Sequence, residues 1–205
     1  FTVDPDKQQQ LVDTLIETTE GWVKPQPGFI SASIHKSLDG TKVVNYSHAQ
    51  QSNKEGFDQR GADPHMRIRM VLALQLGKPD AHFYSTARTI TGSFPSGNSE
   101  ESATNALTTI ASEKNLYTLI NVFTVDPDKQ QQLVDTLIET TEGWAKSHYG
   151  FILARVHKSL DGIKVVNYAQ WKDKEASDLT LSDPHMRARM GLAVQLGKPD
   201  AHFYS

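Results

Sequence analysis

Two side chains that can donate hydrogen bonds lie four residues apart within residues 163–171, which read Ile-Lys-Val-Val-Asn-Tyr-Ala-Gln-Trp. The alternating character of this segment predicts a β-strand, in which residues i, i+2 and i+4 share one face. Asn167 and Trp171 would then share a face with small and apolar neighbours. A carboxamide and an indole N–H both donate without titrating, so the pair suits a pocket for a flat, oxygenated organic molecule. A structural role, with Trp171 in the core, is an equally good interpretation.

Composition narrows the class of protein. The chain of 205 residues has 24 acidic and 21 basic side chains, for a net charge of −3, and contains no cysteine. The charge argues against a nucleic-acid partner, and the lack of cysteine excludes disulfides, thiolate nucleophiles and zinc–sulfur sites. No apolar run in the sequence is long enough to cross a membrane. We therefore expect a soluble, cytoplasmic protein with no nucleic-acid or membrane partner.

Internal repetition decides the predicted domain organisation. Residues 1–22 recur without change as residues 123–144, and further shared segments extend the likeness to the end of the chain. We expect a first repeat at residues 1–91, a linker at residues 92–115 and a second repeat at residues 116–205. Because the first repeat starts partway through a strand and the second ends partway through one, we expect both termini to be trimmed.

Each repeat predicts the element order β-α-β-β-α-β, which is a ferredoxin-like unit of the α+β class. In the second repeat, the expected strands and helices span residues 117–125, 127–144, 151–157, 163–171, 185–196 and 201–205. The helices cover one face of a four-stranded antiparallel sheet, so the other apolar face needs a partner. The sheet of the other repeat is the natural candidate, and the two repeats would form an intrachain dimeric α+β barrel.

Three short segments carry a family resemblance: His-Lys-Ser-Leu-Asp-Gly at residues 157–162, Val-Val-Asn-Tyr-Ala-Gln-Trp at residues 165–171 and Asp-Pro at residues 183–184. With them the chain resembles the antibiotic biosynthesis monooxygenase (ABM) superfamily in a tandem two-domain form, most closely the quinone-forming monooxygenases of aromatic polyketide biosynthesis. The resemblance implies a dimeric α+β barrel that oxidises a phenolic or anthrone-type polycyclic aromatic intermediate with O₂ in secondary metabolism. It also implies that the reaction needs no metal, flavin or haem cofactor.

The resemblance also implies where the site lies. The family's pocket asparagine and tryptophan fall on Asn167 and Trp171, whereas the first repeat has Asn45 but a glutamine, Gln51, in place of the tryptophan. We therefore expect the second repeat to hold the active site. Ser177 stands where the family has a tyrosine implicated in proton transfer.

Other side chains extend the candidate site. Because the tyrosine is missing, His185 is our preferred candidate for a catalytic base, one helical turn from Arg189, although an exposed or structural role for this histidine stays open. Tyr168 and Arg189 join Asn45 and Ser177 as candidate substrate-binding residues. No spacing of the His-Glu-x-x-His kind is present, so we expect no metal site.

Other functions remain open from the sequence. The same hydrogen-bond donors would serve a non-oxidative polyketide cyclase or isomerase. A degenerate barrel could instead bind a hydrophobic ligand, or act as an assembly subunit, without catalysis. The haem-degrading branch of the superfamily also uses an asparagine and a tryptophan, and Asn121 on the first strand could mimic its asparagine. Whether the pseudo-dimers pair further into a homodimer stays open as well.

Overall fold

The computed structural model describes residues 1–50, 64–92 and 116–204. The chain divides into two compact units, Phe1–Ala81 and His82–Ser205. Apart from Gly92, the expected linker lies outside the described residues, and so does Gln51.

The first unit has the element order β1 (Thr2–Val3), α1 (Gln8–Thr18), β2 (Phe29–Lys36), β3 (Val43–Ala49), α2 (Pro64–Leu76) and β4 (Gly77–Lys78). Antiparallel pairs join β1 to β4 and β2 to β3. Thr2 also bridges to Lys42, just before β3, so the strand order is β4-β1-β3-β2. This is the order of a ferredoxin-like sheet, and its core centres on the fully buried Leu11 and Val43.

The second unit contains β5 (Tyr84–Thr91), β6 (Tyr117–Val125), α3 (Gln130–Gly143), β7 (Phe151–Ser159), β8 (Lys164–Trp171), α4 (Lys174–Ser182), α5 (Pro184–Leu196) and β9 (Gly197–Tyr204). Its five-stranded sheet has the order β5-β7-β8-β6-β9, and every neighbouring pair is antiparallel. Without β5 this is again the ferredoxin-like order, so the expected α+β repeats are confirmed. Among the helices of the described ranges, none has the length and apolar character needed to span a bilayer.

The last strand of the first repeat pairs with the second repeat and not with the first. We expected residues up to 91 to close the sheet of the first repeat, but β5 pairs along β7 of the second repeat, with Tyr84 opposite Ser159 and Thr91 opposite Leu153. The compact units therefore divide between Ala81 and His82, and the repeat bounds at residues 1–91 and 116–205 stay a prediction. The physical reason is that β7 would otherwise present an open row of backbone N–H and C=O groups at the edge of the sheet.

Side-chain contacts anchor the start of β5 to the hairpin that joins β7 to β8. The Nδ1 atom of His82 lies 2.6 Å from Oδ2 of Asp161. A hydrogen bond from the Ser159 hydroxyl, followed in importance by the one from His82, lowers the pKa of Asp161 to about 2. The carboxylate stays ionised over a wide pH range and holds the hairpin and the incoming strand together.

One helix of the second unit was not predicted. Helix α4 begins after Asp173, whose carboxylate accepts a hydrogen bond of 2.8 Å from the backbone N–H of Ala176. This is an ordinary N-cap, and Glu175 in the first turn is also favourable there. The helix brings Ala176 into the core cluster that contains Trp171.

Gly150 and Gly162 provide a matched test of how closely α4 approaches the turn before β7. Both have a left-handed backbone, with φ of +79° and +84°. A Cβ at Gly150 would lie 2.5 Å from Cβ of Ala176, whereas at Gly162 the nearest atom would be 3.4 Å away. We expect Gly150→Ala to lower the free energy of unfolding by at least ~1 kcal/mol more than Gly162→Ala, because overpacking adds to the shared backbone strain. Urea denaturation measures both values, and equal losses would contradict the close approach.

Candidate active site

Two asparagines face each other across the central strands of the second unit. The antiparallel register places Asn121 of β6 directly opposite Asn167 of β8. Residues paired in this way point to the same face of the sheet, with Cβ atoms about 4.5–5.5 Å apart. Neighbouring positions on that face, such as Phe123 and Val165, pack against helices α3 and α5, so the asparagines also face the helical layer.

The asparagine pair separates two apolar clusters. At one end, Phe123 and Val165 belong to a cluster with α3 and α5. At the other end, Leu119 and Ala169 belong to the cluster that includes Phe151, Trp171 and Met186. On β6, Asn121 lies between Leu119 and Phe123 with the spacing of two residues that keeps side chains on one face. Two polar side chains thus interrupt an otherwise continuous apolar layer.

Both amides are buried without satisfying their oxygen atoms. Asn121 is 4% exposed and Asn167 is 8% exposed, and neither Oδ1 atom has a hydrogen-bond partner among the residues that the structure describes. A buried polar atom left in this state costs about 1–3 kcal/mol, and such groups are rare enough to need an explanation. Their position between two apolar clusters makes this place a candidate ligand site.

Ser177 adds a third unsatisfied oxygen in the helical layer. Its side chain is fully buried in α4, and within the described ranges no hydrogen-bond partner lies near its Oγ atom. The helix packs on β8 through Ala176, which contacts the cluster around Trp171 and Ala169. The sequence selected Ser177 only through the family resemblance, since α4 itself was not expected. The structure places this residue in the layer that covers the Trp171 end of β8.

Trp171 has a different environment from the one that the sequence suggested. Its indole Nε1–H donates a hydrogen bond of 3.1 Å to Oγ1 of Thr180, and the ring packs edge-on against Phe151 with centroids 6.1 Å apart. The step of four positions from Asn167 to Trp171 spans about 13 Å along a strand. The two donors therefore do not converge on one oxyanion in this structure, because one is already engaged and the two are well separated.

Thr180 tests the structural role of Trp171. We expect Thr180→Val to lower the free energy of unfolding by about 1–3 kcal/mol, because it leaves a buried indole N–H without an acceptor. Thr180→Ser keeps the hydroxyl and should cost less, about 1 kcal/mol for the lost methyl group. Urea denaturation followed by tryptophan fluorescence compares the two variants. A cost for Thr180→Ser that equals that of Thr180→Val would show that this hydrogen bond contributes little.

His185 and Arg189 lie on the outer side of α5, near the protein surface. His185 is exposed, and its ring stacks on Trp144 at a centroid distance of 6.0 Å. The Arg189 guanidinium pairs with Glu139 at 2.5 Å and lies 5.7 Å from the centre of the Trp144 ring. Asp183 caps the N-terminus of α5, and its pKa is lowered mainly by the hydrogen bond from the backbone N–H of Met186. These contacts describe a surface cluster between α3 and α5.

Tyr168 lies on the face of the sheet opposite the asparagine pair. It is 4% exposed, and the cross-strand register pairs it with Ile120 on one side and Arg155 on the other. Since strand neighbours alternate between faces, a ligand in contact with Asn167 on the helical side would not contact the Tyr168 side chain.

In the first unit, Asn45 differs from Asn167 in its surroundings. Asn45 is exposed on β3, and its Oδ1 accepts a hydrogen bond of 3.1 Å from the Ser47 hydroxyl. The amide therefore has a partner within its own strand. This contrast between two otherwise equivalent positions makes Asn45 a matched control for Asn167.

Sequence reasoning had given Asn121 only a minor place and had missed Thr180. Asn121 is an amide in a strand whose other described residues on the same face, Tyr117, Leu119, Phe123 and Val125, are apolar. An isolated amide on an apolar face could have marked it, but only the register of β6 against β8 shows that it meets Asn167. Thr180 could not be assigned without α4.

Comparisons with known proteins agree with this architecture. The family model described as "Antibiotic biosynthesis monooxygenase" matches residues 116–190. Tetracenomycin-F1 monooxygenase of Streptomyces glaucescens is 36% identical over 97 residues, which cover 47% of this chain and 87% of that protein. The chain belongs to the antibiotic biosynthesis monooxygenase family. This membership assigns a monooxygenase role to the chain.

Solved structures show how widely the fold is shared. A crystal structure of an anthrone oxidase-like protein matches with a TM-score of 0.78 and 22% identity, over 99% of this chain and 86% of that one. A regulator of staphylococcal pathogenesis matches with a TM-score of 0.53 and 11% identity, over 96% of this chain and 91% of that one. These likenesses show the fold alone, and the function has to be argued from the site.

Proposed function

We propose that the second repeat is a cofactor-independent monooxygenase that oxidises a phenolic or anthrone-type polycyclic aromatic compound to a quinone. The observation that carries the proposal is the buried Asn167 amide, which lies opposite Asn121 between two apolar clusters. The family membership and the name of the Streptomyces relative support the reaction type.

The chemistry suits a site built from neutral hydrogen-bonding groups. An anthrone enolises, and loss of the enol proton gives an electron-rich oxyanion that can reduce O₂. The ring CH₂ group then loses two hydrogen atoms and gains one oxygen atom, and the second oxygen atom leaves as water. Carbon is oxidised, O₂ is reduced, and no further electron donor is needed. Stabilising the oxyanion in a site from which water is excluded is the protein's main contribution.

Asn167 is the proposed donor to the oxyanion, through its Nδ2–H group. The apolar clusters on either side of the asparagine pair, which include Phe123 and Phe151, would contact the rings of a polycyclic ligand. We assign Trp171 to packing around the site rather than to oxyanion binding, because its N–H already has Thr180 as acceptor. We propose Ser177 for a further polar contact with the substrate, since its buried Oγ lacks a partner among the described residues.

The remaining candidates are assigned to lesser roles in the proposal. His185 and Arg189 would act at the rim, where their contacts with Trp144 can order the outer edge of the site. Tyr168 and Asn45 would not touch the reacting atoms, because one lies on the other face of the sheet and the other is exposed in the first repeat.

Oxygen consumption with isotope labelling tests the proposed reaction. Metal-stripped, colourless protein is mixed with dithranol under ¹⁸O₂, and O₂ uptake is followed together with the mass of the product. We expect enzyme-dependent uptake and a quinone that carries one ¹⁸O atom. Uptake at the background rate with several anthrones, or a product that is an isomer of the substrate, would contradict a monooxygenase and favour a cyclase or a binding protein.

A further inference from the structure

Helix α2 of the first unit carries an apolar stripe on its outer side. Ile68, Val71 and Leu74 are 60%, 52% and 50% exposed, and their spacing of three residues keeps them within about 120° of the helical circumference. We call these three residues the outer stripe. Ala73 lies nearly opposite Val71 and is buried in the core of the first unit. A surface helix normally keeps polar residues on the side away from the core, so the outer stripe marks an interaction surface.

Comparison of the two repeats shows that the outer stripe belongs to the first. Helices α2 and α5 each have 13 residues, and their sequences differ at three positions alone. These are the positions of the outer stripe, where α5 has Ala188, Gly191 and Val194, so each difference gives α2 the larger apolar side chain. Both helices bury the same alanine, Ala73 and Ala193. The difference is therefore confined to the outer side, and packing against the core does not explain it.

We propose that the outer stripe binds the outer stripe of a second copy of the chain, with the two α2 helices antiparallel across a two-fold axis at Val71. Val71 then meets Val71 of the other copy. Ile68 meets Leu74 of the other copy, because a two-fold axis exchanges the positions three before and three after the centre. The outer stripe is thus complementary to itself, as the commonest kind of closed assembly requires. This interaction is independent of the proposed reaction in the second repeat.

The charges around the outer stripe are compatible with this pairing. The stripe contains no charged residue, and the same axis places Arg67 opposite Gln75 of the other copy, so like charges do not face each other. The neighbouring Arg69 forms an ion pair of 2.7 Å with Glu17 of α1, which compensates its charge. An uncharged centre with polar groups at its margin is the usual composition of a protein–protein interface.

The size of the surface sets the expected strength of the dimer. Met70 and Leu72 flank the outer stripe and are 43% and 40% exposed, which adds two apolar side chains to the contact. A standard interface has about 20–30 residues a side, and smaller ones belong to weak complexes. We therefore expect a dissociation constant of about 10–100 μM.

Sedimentation velocity of the full chain tests the proposal. We expect the wild type to be mainly dimeric at about 200 μM and monomeric at about 1 μM. Val71→Glu places two carboxylates at the axis and should raise the dissociation constant of the dimer at least about tenfold. Gly191→Glu is the matched control, because it adds the same charge at the equivalent position of α5, where a Cβ has no atom within 4 Å. Its dissociation constant should equal that of the wild type.

A disulfide at the axis tests the geometry. The chain contains no cysteine, so Val71→Cys introduces a single thiol. Helix axes 8–10 Å apart bring the Cα atoms of facing residues to about 3.5–5.5 Å, which overlaps the separation that a disulfide spans. We expect Val71→Cys to form a covalent dimer under mild oxidation at about 200 μM, and Gly191→Cys to stay monomeric under the same conditions.

Three outcomes would overturn the proposal. A wild type that is monomeric at about 200 μM would leave the outer stripe to a different protein. A dimer that Val71→Glu does not weaken, or equal cross-linking of Val71→Cys and Gly191→Cys, would place the interface elsewhere. Circular dichroism compares the fold of each variant with that of the wild type, and the cross-linking result decides alone if Val71→Glu does not fold.

Discussion

Replacing Asn167 with leucine is expected to lower kcat for anthrone oxidation about 100-fold or more, since loss of one oxyanion donor typically costs that much. The same change should not lower the free energy of unfolding. Leucine keeps the branching of asparagine and removes a buried amide whose Oδ1 has no partner, which relieves a cost of about 1–3 kcal/mol. A functional asparagine thus predicts loss of activity with equal or higher stability, whereas a structural asparagine predicts loss of stability.

Asn45→Leu is the matched control for this prediction, because Asn45 occupies the equivalent position in the first repeat and is exposed. We expect its kcat to stay within about twofold of the wild-type value, since an exposed amide contributes little to charge stabilisation. Steady-state O₂ uptake and urea denaturation give both quantities for each variant. Equal losses of activity from the two substitutions would contradict the assignment of the site to the second repeat.

Phe123→Ala is expected to have the largest effect on stability, a loss of about 3–5 kcal/mol. The Phe123 side chain is fully buried, and it packs in one cluster with Val165 of β8 and Leu133 and Leu137 of α3. Truncation removes apolar contacts and leaves a cavity between the sheet and the helical layer. The result should also be a weaker site, because Asn121 lies two residues away on the same face of β6.

Phe1 is the equivalent residue of the first repeat and is only half-buried, so Phe1→Ala should cost less. In a Trp22→Phe background, the fluorescence of Trp144 and Trp171 reports unfolding of the second unit alone. Urea titration of the variants in this background isolates the effect on that unit. A cost below about 1 kcal/mol for Phe123→Ala would mean that the cluster does not hold the helical layer on the sheet.

Much of the fold could be predicted from the sequence because the chain is a duplication with clear periodicity. The limits expected for the first strand of the second repeat match β6, and the expected helix at residues 185–196 differs from α5 by one residue. The path of β5 could not be predicted. An alternating pattern indicates that a segment is a strand, but it does not indicate which sheet edge the strand will join. The pairing of the two repeats into one barrel stays a prediction.

Only part of the candidate site could be predicted from the sequence. Strand periodicity correctly placed Asn167 and Trp171 on one face, and the register against β6 bears this out. The partner of each side chain depends on contacts between distant segments. Asn121 meets Asn167 through strand register, and Thr180 meets Trp171 through a helix that the sequence reading did not contain. That the reaction needs no cofactor also stays a prediction.

The ionisation of a bound phenol tests oxyanion stabilisation most directly. The pKa of 2-hydroxyanthraquinone, bound to the wild-type chain and to Asn167→Leu, is measured by absorbance during a pH titration. We expect the pKa of the bound ligand to be lower in the wild type by about one unit or more, because a donor to the phenolate is worth more than 1.36 kcal/mol. Equal pKa values in the two proteins, or a lower value in the variant, would contradict the role of Asn167 as the donor to the oxyanion.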